Sequence, residues 1–292
     1  MENIMEQDFR KINRKPERAG MIQKKKNETE YLVFPGLCRT GSVNHLFSTR
    51  FGGVSEGIFS SMNLSYTRGD HKEAVDENFR RIAAVFDSTP DKIVCSDQTH
   101  TVNVRRVTKA DAGKGVVRPK DYKDVDGLIT DVPGLILATF YADCVPLFLV
   151  DMEHGAIGLS HSGWKGTVGK MGEVTLKAMK EAFGTRPENV RAAIGPSICQ
   201  DCYEVSRDVA EQFERLFPGE SEKVLKPGKA PDKYQLDLWN ANKMILLNAG
   251  ILPEHLEVTD ICTCCNSEYL FSHRASGGKR GNLGAFLELR KS

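Results

Sequence analysis

Three short apolar segments follow one another closely in the middle of this chain and constrain its fold most. Each is rich in β-branched or aromatic residues, and the first two are separated by only four residues. Apolar runs of this length, bounded by turn-forming residues, are typical of β-strands. The sequence therefore predicts strands at residues 135–140, 145–150 and 156–159. The first break carries Asp143 and Cys144, so an acid and a thiol should lie together at a strand edge.

The remaining pattern indicates an α+β (α/β mixed) fold. Further strands are predicted at residues 32–37, 43–49, 93–95, 102–107, 190–194 and 283–289. Helices are predicted from Asp70 to residue 86, with Glu73 as the capping-box partner of Asp70, and over residues 168–183, 209–217 and 238–249. Since strands occur both in adjacent pairs and in strand-helix-strand units, we expect mixed sheets.

No Gly/Ser-rich linker or change of composition divides the chain, so residues 31–292 are predicted to form one domain. Residues 1–30 are rich in Lys, Arg, Glu and Asn. A segment with so few apolar positions is expected to be a disordered tail or a marginal helix.

The charge balance argues against a polyanionic partner. The 292 residues carry 40 Lys and Arg against 39 Asp and Glu, a net charge of +1. No global field then steers the chain to nucleic acid or an anionic membrane. No apolar run approaches the roughly 20 residues that span a bilayer, and a signal-peptide core is lacking. We expect a cytoplasmic protein with a small-molecule substrate, no nucleic-acid partner and no membrane partner.

Two histidines occupy positions similar to that of Cys144. His161 follows a predicted strand, and His100 lies between two short predicted strands. Two imidazoles and one thiolate at a sheet edge would form a ligand set for zinc, and three protein ligands leave an open position, as in catalytic sites. Taken singly, each has a plainer explanation, because cysteines are commonly buried in cores and an isolated histidine in a turn is usually exposed.

The other cysteines are expected to be reduced thiols, because eight in a chain this long do not resemble a secreted disulfide framework. They include two C-x-x-C pairs, Cys199 with Cys202 and Cys262 with Cys265. A four-cysteine zinc site is disfavoured, since the pairs are separated by about 60 residues, against about 15 to 20 in zinc ribbons.

Arginine-bearing, glycine-rich loops are candidates for anion binding. Arg50 precedes Gly52 and Gly53, and Arg274 and Arg280 flank or lie in a second such segment. Guanidinium groups and backbone amides both donate to phosphate or carboxylate oxygens. Ordinary exposed loops explain the same residues equally well, and neither of the common glycine-rich nucleotide-binding motifs is present.

The turn after His161 contains Ser162, Trp164 and Lys165 and leads into a predicted helix. Its composition suits stacking of a planar base beside an anionic group, and the helix N-terminus offers free amides.

Eight sequence segments together resemble one known family, the YfiH/YlmD/laccase-domain-containing proteins. The resemblance spans about residues 43–289, with the segments in the family's order. They are His45-Leu46-Phe47-Ser48-Thr49-Arg50-Phe51-Gly52-Gly53-Val54-Ser55, Ser61-Met62-Asn63-Leu64, Gln98-Thr99-His100, Asp126-Gly127, Ala142-Asp143-Cys144, His161-Ser162-Gly163-Trp164, and Ile194-Gly195-Pro196 with Tyr203-Glu204-Val205.

The resemblance implies a four-layer α/β/β/α sandwich and a zinc-dependent purine nucleoside phosphorylase. Its implied substrates are phosphate with adenosine, inosine, guanosine and S-methyl-5′-thioadenosine, and it implies adenosine deaminase activity. The family's metal ligands fall on His100, Cys144 and His161. Asn63 and Gln98 are further candidates for substrate binding. The late arginine segment departs from the family pattern around Gly277-Gly278, which weakens the assignment of Arg280.

Copper-oxidase chemistry with a trinuclear cluster would need many more histidines in His-x-His and His-Cys-His patterns. The chain has seven histidines and neither pattern. Copper binding in vitro is still compatible with a Cys/His site, because Cu²⁺ binds such ligands more tightly than Zn²⁺.

Within the phosphorylase hypothesis, Asp143 is the candidate acid or base, and Arg50, Arg274 and Arg280 are candidates to hold phosphate. Two other hypotheses remain open. A metal-free cysteine hydrolase would use Cys144 as nucleophile and His161 as base. A structural zinc protein would need a fourth ligand. The oligomeric state is left open by the sequence.

Overall fold

The computed structural model describes residues 20–291 and the backbone of residues 3 and 4. Its strands are β1 Asn3–Ile4, β2 Ile22–Lys26, β3 Thr29–Val33, β4 Val43–Ser48, β5 Ile93–Cys95, β6 Val104–Arg106, β7 Gly127–Thr130, β8 Ile136–Tyr141, β9 Val145–Asp151, β10 Ala156–Ser162, β11 Val190–Ile194, β12 Glu204–Ser206, β13 Leu225–Pro227, β14 Lys233–Leu236, β15 Leu256–Val258 and β16 Leu283–Leu289. Its α-helices are α1 Pro35–Arg39, α2 Lys72–Val85, α3 Trp164–Val168, α4 Met171–Phe183, α5 Arg207–Leu216, α6 Leu238–Asn248 and α7 His273–Ser276.

The strands form two large sheets and one small one. The first sheet has the order β1-β2-β3-β4-β16-β8-β5 and is antiparallel except for the parallel pair β5 and β8. The second has the order β15-β11-β9-β10-β7-β6, with parallel pairs at both edges. Strands β12, β14 and β13 form the small antiparallel sheet. The predicted α+β class with mixed sheets is confirmed.

Alternation of side chains along the central strands generates the layers. In β8, Leu137 packs into the core between the two sheets, whereas Ile136 packs towards α2. In β9, Phe148 faces the first sheet, whereas Leu147 packs in the core that contains α4, α5 and α6. Because successive side chains of a strand point to opposite faces, each sheet is covered on both sides. The order of layers is helix, sheet, sheet, helix, as the family resemblance implied.

The predicted capping box of α2 is wrong. The helix begins at Lys72 with His71 at its N-cap position, and no side chain caps it. The carboxylate of Asp70 instead accepts a hydrogen bond of 2.9 Å from Nδ2 of Asn63. A contact distant from the helix therefore competes for the side chain that the local pattern assigned to the cap.

Two other boundaries differ from prediction. The helix predicted over residues 168–183 begins three residues later, as α4 at Met171, and Val168 ends the separate helix α3; Lys170 between them adopts a left-handed backbone with φ of 55°. The strand predicted over residues 32–37 ends at Val33, and Pro35 starts α1, where its fixed φ and missing N–H are tolerated.

The predicted tail overlaps ordered structure. Strands β2 and β3 form an antiparallel pair, and β3 joins β4, so the first sheet extends beyond the boundary predicted at residue 31. Residues 1, 2 and 5–19 lie outside the described residues. Within residues 20–291, no helix combines the length and apolar character needed to cross a membrane.

The core between the sheets provides a test of the layered packing. Phe148 is completely buried there, with its ring 5.8 Å from that of Phe34. Replacing Phe148→Ala should lower the free energy of unfolding by about 3–5 kcal/mol in urea titrations, because it removes apolar contacts and leaves a cavity. The control Ile58→Ala, at a side chain that is 50% exposed, should change it by less than about 0.5 kcal/mol. Equal effects of the two substitutions would contradict the described core.

Candidate metal centre

Strand pairing brings Cys144 and His161 together. Cys144 immediately precedes β9, and His161 lies near the end of β10. These strands are antiparallel, with His161 opposite Pro146 and Ser162 opposite Val145. Because the start of β9 therefore meets the end of β10, the thiol and the imidazole lie at the same edge of the second sheet.

His100 completes the group from a neighbouring loop. It lies between β5 and β6 and adopts φ of +67°, a left-handed conformation that is uncommon for a residue with a side chain. Its Nε2 atom is 4.0 Å from Sγ of Cys144, and its ring centroid is 5.0 Å from that of His161. The ligand atoms of the three residues all lie within 4.8 Å of one another.

Asp126, directly before β7, holds both histidines. Its buried carboxylate accepts hydrogen bonds from the backbone amides of Thr99, His100 and Thr101, at 3.0, 3.1 and 3.0 Å. The hydroxyl of Thr101 adds a bond of 3.0 Å. Oδ1 of Asp126 is also hydrogen-bonded to Nδ1 of His161, at 2.7 Å. With Nδ1 occupied by the carboxylate, Nε2 is the nitrogen of His161 that remains to bind a metal, as in the carboxylate–histidine pairs of metal sites.

The electrostatics of the group favour a thiolate. Burial alone would raise the pKa of Cys144, but the charge and hydrogen bonding of His161 and His100 outweigh burial and lower that pKa to about 6. Burial opposes the charge on His161, yet Cys144 and Asp126 raise the pKa of this imidazole to about 9. The sulfur therefore carries negative charge at neutral pH, the state in which it binds a metal or acts as a nucleophile.

The three residues open into a cavity of about 1090 Å³. One part of its wall is aromatic, with the rings of Tyr66 and Phe79 stacked at a centroid distance of 5.5 Å. Phe140 packs edge-on against Phe79 at 6.0 Å. Flat apolar surfaces of this kind suit a planar heterocyclic ring.

Arg280 supplies a cation to the same cavity. Its side chain is buried and donates to the carbonyl of Gly281 and to Oδ1 of Asn282. Its Nε atom has no hydrogen-bond partner among the described residues. Burial and the nearby charge of Arg68 lower the pKa of Arg280 to about 10, so it stays protonated at neutral pH. A guanidinium in the wall of a cavity that is also lined by a second cation, Arg68, is suited to an anion.

The other two predicted arginines are used elsewhere and do not line this cavity. Arg50 donates to the carbonyls of Ser60 and Ser267 and stacks on the ring of Phe271. Arg274 donates to the carbonyls of Cys202 and Glu204. Both guanidinium groups therefore connect chain segments.

Asp143 also lies outside the cavity lining. Its Oδ1 accepts a bond of 2.7 Å from the hydroxyl of Thr263, and its Oδ2 accepts one of 2.7 Å from the amide of Arg274. Its own carbonyl accepts from the amide of Ile198 at 3.0 Å. Both carboxylate oxygens are thus engaged in hydrogen bonds within the protein.

Among the other predicted binding residues, only Gln98 lines the cavity, and its amide group is bonded to the backbone of Phe140. Asn63 is buried behind the wall, where it contacts Asp70. The hydroxyl of Ser162 donates to Asn242.

Trp164 and Lys165 begin α3, where the ammonium of Lys165 lies 5.6 Å from the indole centroid of Trp164. Neither residue lines the cavity.

Sequence reasoning missed the roles of Asp126 and Arg68. Asp126 appeared only as part of a segment shared with the family, and its partners are 25 to 35 residues away along the chain. Arg68 lies in an exposed turn with no motif around it. The sequence signal for Asp126 was its position directly before an apolar strand. A carboxylate that becomes buried at such a position needs hydrogen-bond donors.

Comparison with known proteins places these residues in a family. The model of a family described as multi-copper polyphenol oxidoreductase laccase matches residues 44–290. The purine nucleoside phosphorylase YlmD of Geobacillus stearothermophilus is 36% identical over 248 residues, which cover 84% of this chain and 89% of the relative. The adenosine deaminase RL5, from an unknown prokaryotic organism, is 31% identical over 237 residues, covering 80% and 90%.

The fold agrees with a solved relative. The crystal structure of the hypothetical protein YfiH of Bacillus licheniformis superposes with a TM-score of 0.85 at 32% identity, covering 91% of this chain and 98% of that one. The chain therefore belongs to the family of YlmD and YfiH, described as multi-copper polyphenol oxidoreductase laccases.

Proposed function

We propose that the chain is a zinc-dependent purine nucleoside phosphorylase that also deaminates adenosine. Its proposed nucleosides are adenosine, inosine, guanosine and S-methyl-5′-thioadenosine. The observation that carries the proposal is one cavity bordered by His100, Cys144 and His161 and by Arg280. The names of the relatives support it, since one is a purine nucleoside phosphorylase and another an adenosine deaminase.

The donor set fits zinc. Two imidazoles and one thiolate form a mixed N/S set, and three protein ligands leave one position open towards the cavity. A bound zinc ion would supply Lewis acidity and activation of water or substrate. His100, Cys144 and His161 would hold it, and Asp126 would fix the ring of His161 and the loop of His100.

For phosphorolysis, a phosphate oxygen forms a bond to the anomeric carbon of the ribose while the bond from that carbon to the purine nitrogen breaks. The purine leaves with the electron pair and takes up a proton. We assign Arg280 to hold the phosphate, with Arg68 as a second cation at the cavity wall. Holding both reactants in place removes much of the entropic cost of the reaction.

The aromatic wall gives the purine a surface on which to stack. Tyr66, Phe79 and Phe140 all line the cavity. For deamination, water replaces the amino group of the purine, which leaves as ammonia. The same cavity thus serves two reactions that share a purine and differ in the attacking reagent.

We assign Asp143 a positioning role in place of acid–base catalysis. Asp143 is next to Cys144 in the chain, and its carboxylate accepts hydrogen bonds from the hydroxyl of Thr263 and from the amide of Arg274. These bonds fix the short turn between β8 and β9 that carries the thiol.

A metal-free cysteine hydrolase is the second candidate. The low pKa of Cys144 and the contact of His161 with Asp126 favour it, because they reproduce a thiolate, an imidazole and an orienting carboxylate. Elemental analysis of the protein before and after Cys144→Ala separates the two, because zinc that is lost with Cys144 favours the phosphorylase. A protein active without metal and inactivated by thiol alkylation would favour the hydrolase.

Replacing Cys144→Ala should remove the metal held by this group and abolish both reactions. The test incubates purified protein with adenosine, with and without phosphate, and separates the products by chromatography. Adenine that forms only with phosphate indicates phosphorolysis, and inosine without phosphate indicates deamination. Cys38→Ser, at an exposed side chain outside the cavity, is the control and should retain both activities. Full phosphorolysis by the Cys144 variant after loss of the metal would contradict the proposal.

Replacing Arg280→Met should raise KM for phosphate about tenfold to a hundredfold, since a hydrogen bond to a charged group contributes roughly 1.5–3 kcal/mol. The KM for the nucleoside should change much less. Arg50→Lys is the matched control, because Arg50 was an equal candidate in the sequence but does not line the cavity. A phosphate KM that responds to Arg50 and not to Arg280 would overturn the assignment.

The lowered pKa of Cys144 predicts a pH profile for alkylation of the metal-free protein. Because a lower pKa leaves more thiolate at lower pH, the rate of reaction with iodoacetamide should rise through about pH 6. An ordinary thiol would give a midpoint near about 8.5. Peptide mass spectrometry follows the reaction, with Cys95 as internal control, since burial raises its pKa to about 12. A midpoint for Cys144 near the ordinary value would disprove the thiolate.

A further inference from the structure

Four cysteines outside the candidate metal centre lie close together in the fold. Cys199 precedes a single helical turn and Cys202 is its last residue, and Cys262 and Cys265 lie in a turn-rich segment after β15. Their Sγ atoms all lie within 4.8 Å of one another. The fold therefore brings the two C-x-x-C pairs together, although their separation along the chain disfavoured a shared zinc site.

The spacing of the sulfurs fits tetrahedral coordination. A zinc ion bound to four thiolates at about 2.3 Å places the sulfurs about 3.8 Å apart. The Sγ atoms of Cys202 and Cys265 are 3.5 Å apart, close to that value. Cys199 and Cys262 are buried and the other two are partly buried, so bulk water has little access to the centre of the group.

The surrounding backbone is arranged to stabilise negative sulfur. The amides of Cys199 and Cys265 both donate to Sγ of Cys262, at 3.2 and 3.4 Å. The guanidinium of Arg274 donates to the carbonyl of Cys202, which places a positive charge beside the group. Donors and a cation around four sulfurs offset the charge of bound thiolates.

We propose that Cys199, Cys202, Cys262 and Cys265 bind a second zinc ion as a closed structural site. Four protein ligands leave no open position, so this ion takes no part in chemistry on a substrate. Each thiol loses its proton to solvent when it binds the ion, and no oxidant is required. The proposal does not depend on the proposed phosphorylase activity.

Hydrogen bonds connect the proposed four-cysteine site to the turn that carries Cys144. Ile198, next to Cys199, donates from its amide to the carbonyl of Asp143 at 3.0 Å. Thr263, next to Cys262, donates from its hydroxyl to the carboxylate of Asp143 at 2.7 Å. An ion joining the two cysteine loops would therefore fix Asp143 from both sides, and with it the turn that carries Cys144.

The test uses the full chain with Cys144→Ala, which breaks the group of three and leaves the four cysteines intact. Purified under reducing conditions from medium supplemented with zinc, this variant should contain one zinc per chain by elemental analysis. X-ray absorption at the zinc edge should give four sulfur ligands at about 2.3 Å. Adding Cys202→Ser and Cys265→Ser should bring the zinc content to zero, whereas adding Cys264→Ser should leave it at one.

Three results would overturn the proposal. The first is a Cys144→Ala protein without zinc, and the second is bound zinc with nitrogen or oxygen ligands. The third is a disulfide, seen when the denatured, metal-free Cys144→Ala protein yields two thiols fewer than the seven that remain of the eight in the sequence. Because zinc content and thiol count are the readouts, a failure of the phosphorylase assay would leave this test unaffected.

Discussion

The buried carboxylate of Asp126 is the interaction on which the candidate metal centre depends. It accepts from three successive amides of the loop around His100 and from Nδ1 of His161. A buried carboxylate without donors is costly, so these bonds offset its desolvation and fix the loop at the same time. The left-handed backbone of His100 is maintained within this network. One side chain thus positions two of the three candidate ligands.

Strand pairing provides the third ligand and explains why the sequence was informative here. The β9–β10 hairpin is predictable from two adjacent apolar runs, and its register alone brings Cys144 to His161. Local patterns of this kind recover strands and helices because they depend on neighbouring residues. Contacts across many residues are different, as with Asp126, whose role becomes visible only when residues 99–101 fold over it.

The arginines and Asp143 show where sequence reasoning reached its limit. Arg50, Arg274 and Arg280 lie in similar glycine-rich surroundings, yet the first two donate to backbone carbonyls away from the cavity and only Arg280 lines it. Asp143 lies beside Cys144 in the chain, but in the turn between β8 and β9, where it adopts φ of 91°, its carboxylate accepts from Thr263. The same folding joins two C-x-x-C pairs that lie far apart in the sequence. Residue type predicted the kinds of group present, and tertiary contacts decided which of them meet.

The affinity of the group of three for zinc tests the role of Asp126 most directly. The measurement is competition with a chromophoric chelator, in which the zinc that a Cys144→Ala protein also retains is subtracted so that the four-cysteine group does not contribute. Asp126→Asn should weaken zinc binding about tenfold to a hundredfold, because the amide cannot accept from all the donors that the carboxylate serves. Asp124→Asn, which alters a nearby carboxylate that accepts from the hydroxyl of Thr99, should leave the affinity almost unchanged. Unchanged zinc affinity in a folded Asp126→Asn protein would contradict the account.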